Sequence, residues 1–152
     1  MIATLVLLCG AALLLYIAYL DLTEFRIRNT HVAALAALYF AYAFAAGQLA
    51  TIPAHMLLAT VALAGMLLAY RLGGIGGGDV KLMAACILWS GRERSLLLVV
   101  LLLFAVAVQH GAFRLKWGPS MVDASGRNRL PLAPPLAVAT IGAWIAGHAL
   151  QV

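Results

Sequence analysis

Six blocks of apolar residues, at about 2–20, 31–46, 54–71, 75–91, 95–113 and 132–150, are separated by short polar stretches along the whole chain. The apolar positions form continuous runs rather than one-sided stripes, which is the pattern of helices solvated by hydrocarbon rather than by water. Each block approaches the roughly 20 residues needed to cross a bilayer, the second and fourth being short. Pro53, Pro131, Pro134 and Pro135 stand at block edges, where a helix start tolerates them. The longest polar stretch is FRLKWGPSMVDASGRNRLP, residues 113–131. No linker or internal repeat divides the chain. The expectation is an all-α integral membrane protein with about six transmembrane helices, a glycine-rich loop before the fourth, and a single membrane-embedded domain over residues 1–152.

Composition reinforces this pattern. The chain is 65% hydrophobic and only 10% charged, whereas a soluble domain carries about 25% charged residues. No charge precedes Asp21, so the basic start of a cleavable signal peptide is missing and the first block is expected to remain as a helix. Cys9 and Cys86 lie inside apolar blocks without CxxC spacing and read as packing residues. His31, His55, His110 and His148 are scattered and form no HxxxH or HExxH pair, so no metal or other cofactor is expected.

Charge sets a direction. With six spans, the first, third and fifth loops share one membrane side and hold Arg26, Arg28, Arg71, Lys81, Arg114, Lys116, Arg127 and Arg129. The opposite side has Arg92 and Arg94, beside Glu93. Eight against two predicts odd loops in the cytoplasm and both termini outside. The +5 formal charge is therefore an orientation signal that requires no nucleic-acid partner.

The segment GGIGGGDVKLMAA, residues 73–85, is where chemistry enters. Val80 to Ser90 is eleven residues, about 16 Å of helix, roughly half the hydrocarbon thickness. To cross, this block must recruit the glycine run, which draws Asp79 below the membrane surface. Irregular backbone at that depth is tolerated only when buried in protein or lining a wet cavity. Asp21 ends the first block and Asp79 opens the fourth, so parity puts both on one membrane side. Two carboxylates sharing a water suit peptide hydrolysis, because one stays protonated and donates while the other activates water.

Plainer readings exist for each residue. Asp21 alone is a solvated helix end; Lys81 snorkels or offsets negative charge; Glu24, Arg26 and Arg28 are loop charges; Trp89 and Trp117 are interfacial anchors. No GKS or GKT follows the glycines, which excludes a phosphate-binding loop. Buried carboxylates also mark small transporters and proton relays, although these acids sit at one membrane edge rather than along a route across it. A non-catalytic subunit of a pilus or secretion assembly is the remaining alternative.

The string GIGGGDVKLMAACILWSG resembles the prepilin leader peptidases, membrane aspartyl proteases of the GxGD type. Gly76, Gly78 and Asp79 match the motif, and Val80, Lys81 and Leu82 match its usual extension. DLTEFRIRN matches the family's first aspartate and the basic stretch after it, with Asp21 in place, Asn29 closing it and Arg28 where proline is usual. RLPLAPPLA looks like the proline-containing start of the family's last span. The resemblance implies catalytic Asp21 and Asp79 at the cytoplasmic face, with Gly76, Gly77, Gly78 and Lys81 forming the loop that substrate approaches. It implies removal of a short basic leader, after a glycine, from prepilin or pilin-like precursors at the cytoplasmic (inner) membrane. Long family members add a cytoplasmic domain with paired CxxC motifs and N-methylate the product. This chain lacks those features, and its size looks like the short type serving Flp (tight-adherence) pili or the related archaeal preflagellin peptidases.

Overall fold

The computed structural model describes residues 1–72, 76–115, 121–122 and 128–149. Among the described residues there are five α-helices: α1 (Ile2–Glu24), α2 (Asn29–Ala45), α3 (Ile52–Arg71), α4 (Gly77–Arg114) and α5 (Ala133–Ala149). A 3₁₀ turn, Leu49–Thr51, precedes α3, and Met121–Val122 pairs antiparallel with Asn128–Arg129 in the loop before α5. Three of the helical stretches, Ile2–Glu24, Leu49–Arg71 and Gly77–Ala112, are long and apolar enough to cross a membrane.

Five helices rather than six follow because the fourth and fifth apolar blocks run together as α4. That helix is nevertheless broken at Gly91, whose φ of 60° and ψ of −169° lie outside helical space. The backbone at this point belongs to a region that glycine alone occupies readily. Contacts on either side show that the chain doubles back there. Gly77–Asp79 and Gln109 both lie beside the start of α5: the former share a cleft with Leu130–Leu132, and Gln109 Nε2 donates to the Pro131 carbonyl at 2.8 Å. Gly91 itself packs under the His55 ring at the start of α3, and the Arg94 side chain covers Gly147 at the end of α5. Gly77–Ser90 is thus a half-helix of about 21 Å, returned by a longer second half. Residues 73–75 of the glycine-rich loop lie outside the described residues.

The helices pack in a ring of neighbours: α1 on α2 and α5, and α4 on α2, α3 and α5. The core between them includes Leu14, Ile17, Leu35, Tyr39, Leu82, Leu98, Leu136 and Ala143. Leu5, Leu8, Leu57, Val61, Leu96 and Phe104 point outward and are exposed. An apolar core inside an apolar exterior is what a protein dissolved in a bilayer requires, and the chain is a membrane protein on this ground.

Two sequence expectations change. Trp89 is not an interfacial anchor but a core residue, 4% exposed, whose Nε1 donates to the Leu35 carbonyl at 2.8 Å. It packs against Trp144, with ring centroids 4.8 Å apart, and against Gly10, where an added Cβ would stand 3.1 Å from the indole. The small residue in α1 is what admits the ring. Cys86 is buried as expected, while Cys9 faces outward. Trp117 lies outside the described residues.

Candidate active site

The first aspartate is placed by the way α1 ends. Phe25 adopts a left-handed conformation (φ 49°, ψ 36°), and its amide donates to the Asp21 carbonyl at 3.2 Å. This stops the helix and turns residues 25–28 across the end of the bundle. The Asp21 side chain points inward and the residue is only 5% exposed, so the solvated helix end does not describe it.

A buried carboxylate needs donors. Asp21 Oδ2 accepts from the Ala133 amide at 2.9 Å. Ala133 is the first residue of α5, whose opening amides have no partner inside the helix. Pro134 and Pro135 have no amide hydrogen, and the Leu136 amide already donates to the Leu132 carbonyl at 3.2 Å. The Leu132 amide, just before the helix, also donates to Asp21, and within the first turn the APP sequence leaves Ala133 as the donor, aimed at Asp21 with the positive end of the helix dipole behind it.

Asp79 is placed by glycines. It sits in the first turn of α4, where an acid complements the helix dipole. Its carboxylate folds back over Gly76, and an added Cβ there would lie 2.7 Å from Oδ2. Gly78 receives Ile27, from the loop after α1, with its Cβ 3.0 Å from where a Gly78 Cβ would be. Gly77 faces Tyr70 at an ordinary 3.4 Å. Two of the three glycines thus stand in close approach, one to the carboxylate and one to the neighbouring loop.

Asp21 and Asp79 line the same cleft, of about 370 Å³, a volume within the range of ligand pockets. Its walls come from three places: Phe25–Ile27 after α1, Gly76–Gly78 before Asp79, and Leu130–Leu132 before α5. Arg26 contributes a positive side chain to the same wall.

Other sequence candidates fall elsewhere. Lys81 does not line the cleft; it opens onto a separate apolar groove between α2, α3 and α4, where its Nζ donates to Asn29 Oδ1 at 3.0 Å. Glu24 is exposed and pairs with Arg28 at 3.5 Å, which fits a loop charge. Among the described residues, no group of three or more His, Cys, Asp or Glu side chains is arranged to hold a metal. Ala133 is the site residue that sequence reasoning missed, since an alanine carries no chemical signal; the two prolines after it were the available clue.

No curated protein and no solved structure matches the chain. The model of the type IV leader peptidase family matches residues 8–111, from within α1 to near the end of α4. Both cleft aspartates fall within that span, which covers more than half of the sequence, and the chain belongs to the type IV leader peptidase family.

Proposed function

We propose that this protein is a membrane aspartyl endopeptidase that removes the short basic leader of Flp-like prepilins, cutting after a glycine at the cytoplasmic face of the inner membrane. Asp21 and Asp79 are its catalytic pair. The observation that carries this reading is that both aspartates, 58 positions apart in sequence, line one cleft at the same end of the bundle. Membership of a leader peptidase family supports this reading of the chain as a protease acting on a pilin precursor.

The chemistry follows from two carboxylates sharing one site. One is ionised and takes a proton from water as the water oxygen attacks the scissile carbonyl carbon. The other is protonated and donates to the carbonyl oxygen, so the tetrahedral intermediate forms without a full negative charge. Return of a proton to the amide nitrogen releases the leader and the new amino terminus. The titration belongs to the pair. Substrate reaches the cleft from the cytoplasm if the two halves of α4 cross the membrane separately, which makes six crossings with α1, α2, α3 and α5 and leaves both termini outside. The eight-to-two bias of basic residues supports that direction.

Co-expression with a candidate Flp prepilin tests the activity. Leader removal, seen as a mobility shift on a gel and as a new N-terminus by mass spectrometry, is expected with the wild-type chain. An unprocessed precursor beside normally inserted enzyme overturns the reading.

A further inference from the structure

The two aspartates are carried by helices that pack mainly on other helices: α1 rests on α2 and α5, and α4 on α2, α3 and α5. Their mutual position therefore depends on what bridges the two helix ends at the cleft. One bridge is the start of α5, through Ala133. Another, among the described residues, is the loop between α1 and α2 together with the first residue of α2, which meets the start of α4 at two points. Ile27 seats against Gly78, the residue before Asp79, so closely that a Cβ at position 78 would stand 3.0 Å from the Ile27 Cβ and Ile27 would have to give way. Asn29, at the start of α2, accepts the Lys81 Nζ hydrogen bond at 3.0 Å, across 52 residues of sequence.

Successive residues on a helix are turned by about 100°, so Asp79 and Lys81, two apart, project toward different sides of α4. This matches their surroundings: Asp79 lines the polar cleft, and Lys81 lies on the apolar groove behind it. A lysine facing away from the cleft does not touch a reacting atom. What it does hold is Asn29, the first residue of α2, where the loop after Asp21 ends.

We infer that the Asn29–Lys81 hydrogen bond, seated by the Ile27–Gly78 contact, is a latch that sets the spacing of Asp79 from Asp21. Asn29 and Lys81 are positioning residues, not catalytic ones. The bond lies on an exposed edge beside apolar surface, and its two ends are fixed to separate helices. Releasing it frees the start of α4 to move relative to α1, and small displacements of reacting groups cost large factors in rate. The inference rests on the proposed role of the aspartates as a pair, yet their spacing can be read without catalysis.

The test uses the full chain in membranes and two readouts. Leader cleavage is measured with a prepilin substrate. Spacing is measured in a separate Asp21→Cys/Asp79→Cys protein carrying Cys9→Ala and Cys86→Ala, by its rate of cross-linking with a short bifunctional maleimide. Asn29→Leu removes the acceptor while leaving the Lys81 charge untouched; Asn29→Asp keeps an acceptor oxygen. Lys81→Met removes the donor at similar size.

Asn29→Leu and Lys81→Met should each lower kcat roughly tenfold with KM within about twofold, a factor in the range expected from misplacing a reacting group. Each should slow cross-linking as well. The double variant should be no worse than either single one, because both remove the same bond, and Asn29→Asp should keep near-normal values in both readouts. Normal cross-linking in Asn29→Leu overturns the latch. So does a loss of cleavage confined to Lys81→Met, which would assign the effect to the lysine charge. If even the wild-type chain cleaves no precursor, the proposed activity fails while cross-linking still decides the latch.

Discussion

The Asp21 carboxylate and the Ala133 amide, 112 residues apart in sequence, meet at 2.9 Å and join the end of the first helix to the beginning of the last. The carboxylate gains a donor that a buried charge requires, and the helix gains an acceptor for an amide it cannot satisfy itself.

Ala133→Pro deletes that donor at a position where proline fits a helix start, while Ala133→Gly retains it. A hydrogen bond to a charged group is worth about 1.5–3 kcal/mol, so the proline variant should cleave prepilin about ten- to hundredfold more slowly. The glycine variant should remain near wild type. Rates are compared at matched membrane levels; equal activity of both variants would show that the Ala133 amide does not support Asp21.

The glycines before Asp79 should rank by the space each lacks. Gly77→Ala meets Tyr70 at 3.4 Å and should be mild. Gly78→Ala forces Ile27 away from 3.0 Å, and Gly76→Ala pushes on the Asp79 carboxylate itself at 2.7 Å. Both should reduce cleavage strongly in a protein that still inserts. The order Gly77 mildest, with Gly76 and Gly78 severe, is checked by single-turnover cleavage, and a severe Gly77→Ala beside a silent Gly76→Ala would contradict it.

Gly91→Ala tests the reversal within α4. Its backbone conformation costs an alanine about 1–3 kcal/mol, and the new Cβ would overlap the His55 ring. Thermal unfolding in detergent should show a clear loss of stability. Gly91→Ala/His55→Ala should recover the part due to overlap but not the part due to backbone strain, and an unaffected Gly91→Ala protein would remove the need for a break at this residue.

Much of this arrangement was legible in the order of residue types. Long apolar runs mark where helices form because the bilayer demands hydrogen-bonded backbone with an apolar exterior. Asp79 stood out because glycines and an acid are both costly in such a segment. The inward turn of Trp89 was not legible: the same amphipathic ring suits a membrane surface, and its burial depends on the Leu35 carbonyl and on Gly10 in other helices. The role of Ala133 was hidden for a similar reason, since a backbone amide has no residue type. Lys81 lay next to the motif in sequence but, two positions along a helix, projects to another side of it.

Orientation can be read by thiol labelling. In a variant lacking Cys9 and Cys86, Ser120→Cys should resist an impermeant maleimide in intact spheroplasts and react after lysis. Glu93→Cys, beside the Gly91 break in α4 at the opposite end, should react in both. The reverse pattern would put the cleft on the outer face and remove access to a cytoplasmic leader.

The decisive prediction concerns the pair itself. Asp21→Asn and Asp79→Asn preserve size and most hydrogen-bonding capacity while removing the exchangeable carboxyl proton. General acid and base groups each contribute about 10²–10⁴-fold, so either change alone should lower leader removal by at least the bottom of that range. Groups that act as one unit are non-additive, and the double variant should therefore be hardly slower than either single one. Glu24→Gln supplies the control: that carboxylate is exposed and paired with Arg28, an arrangement worth about 0–1 kcal/mol, and should be nearly silent. Membrane levels are matched by immunoblot before rates are compared, since failed insertion would imitate failed catalysis. Near-normal cleavage by a well-inserted Asp21→Asn or Asp79→Asn protein would rule out the paired mechanism, and additive losses in the double variant would mean that the two carboxylates work in separate steps.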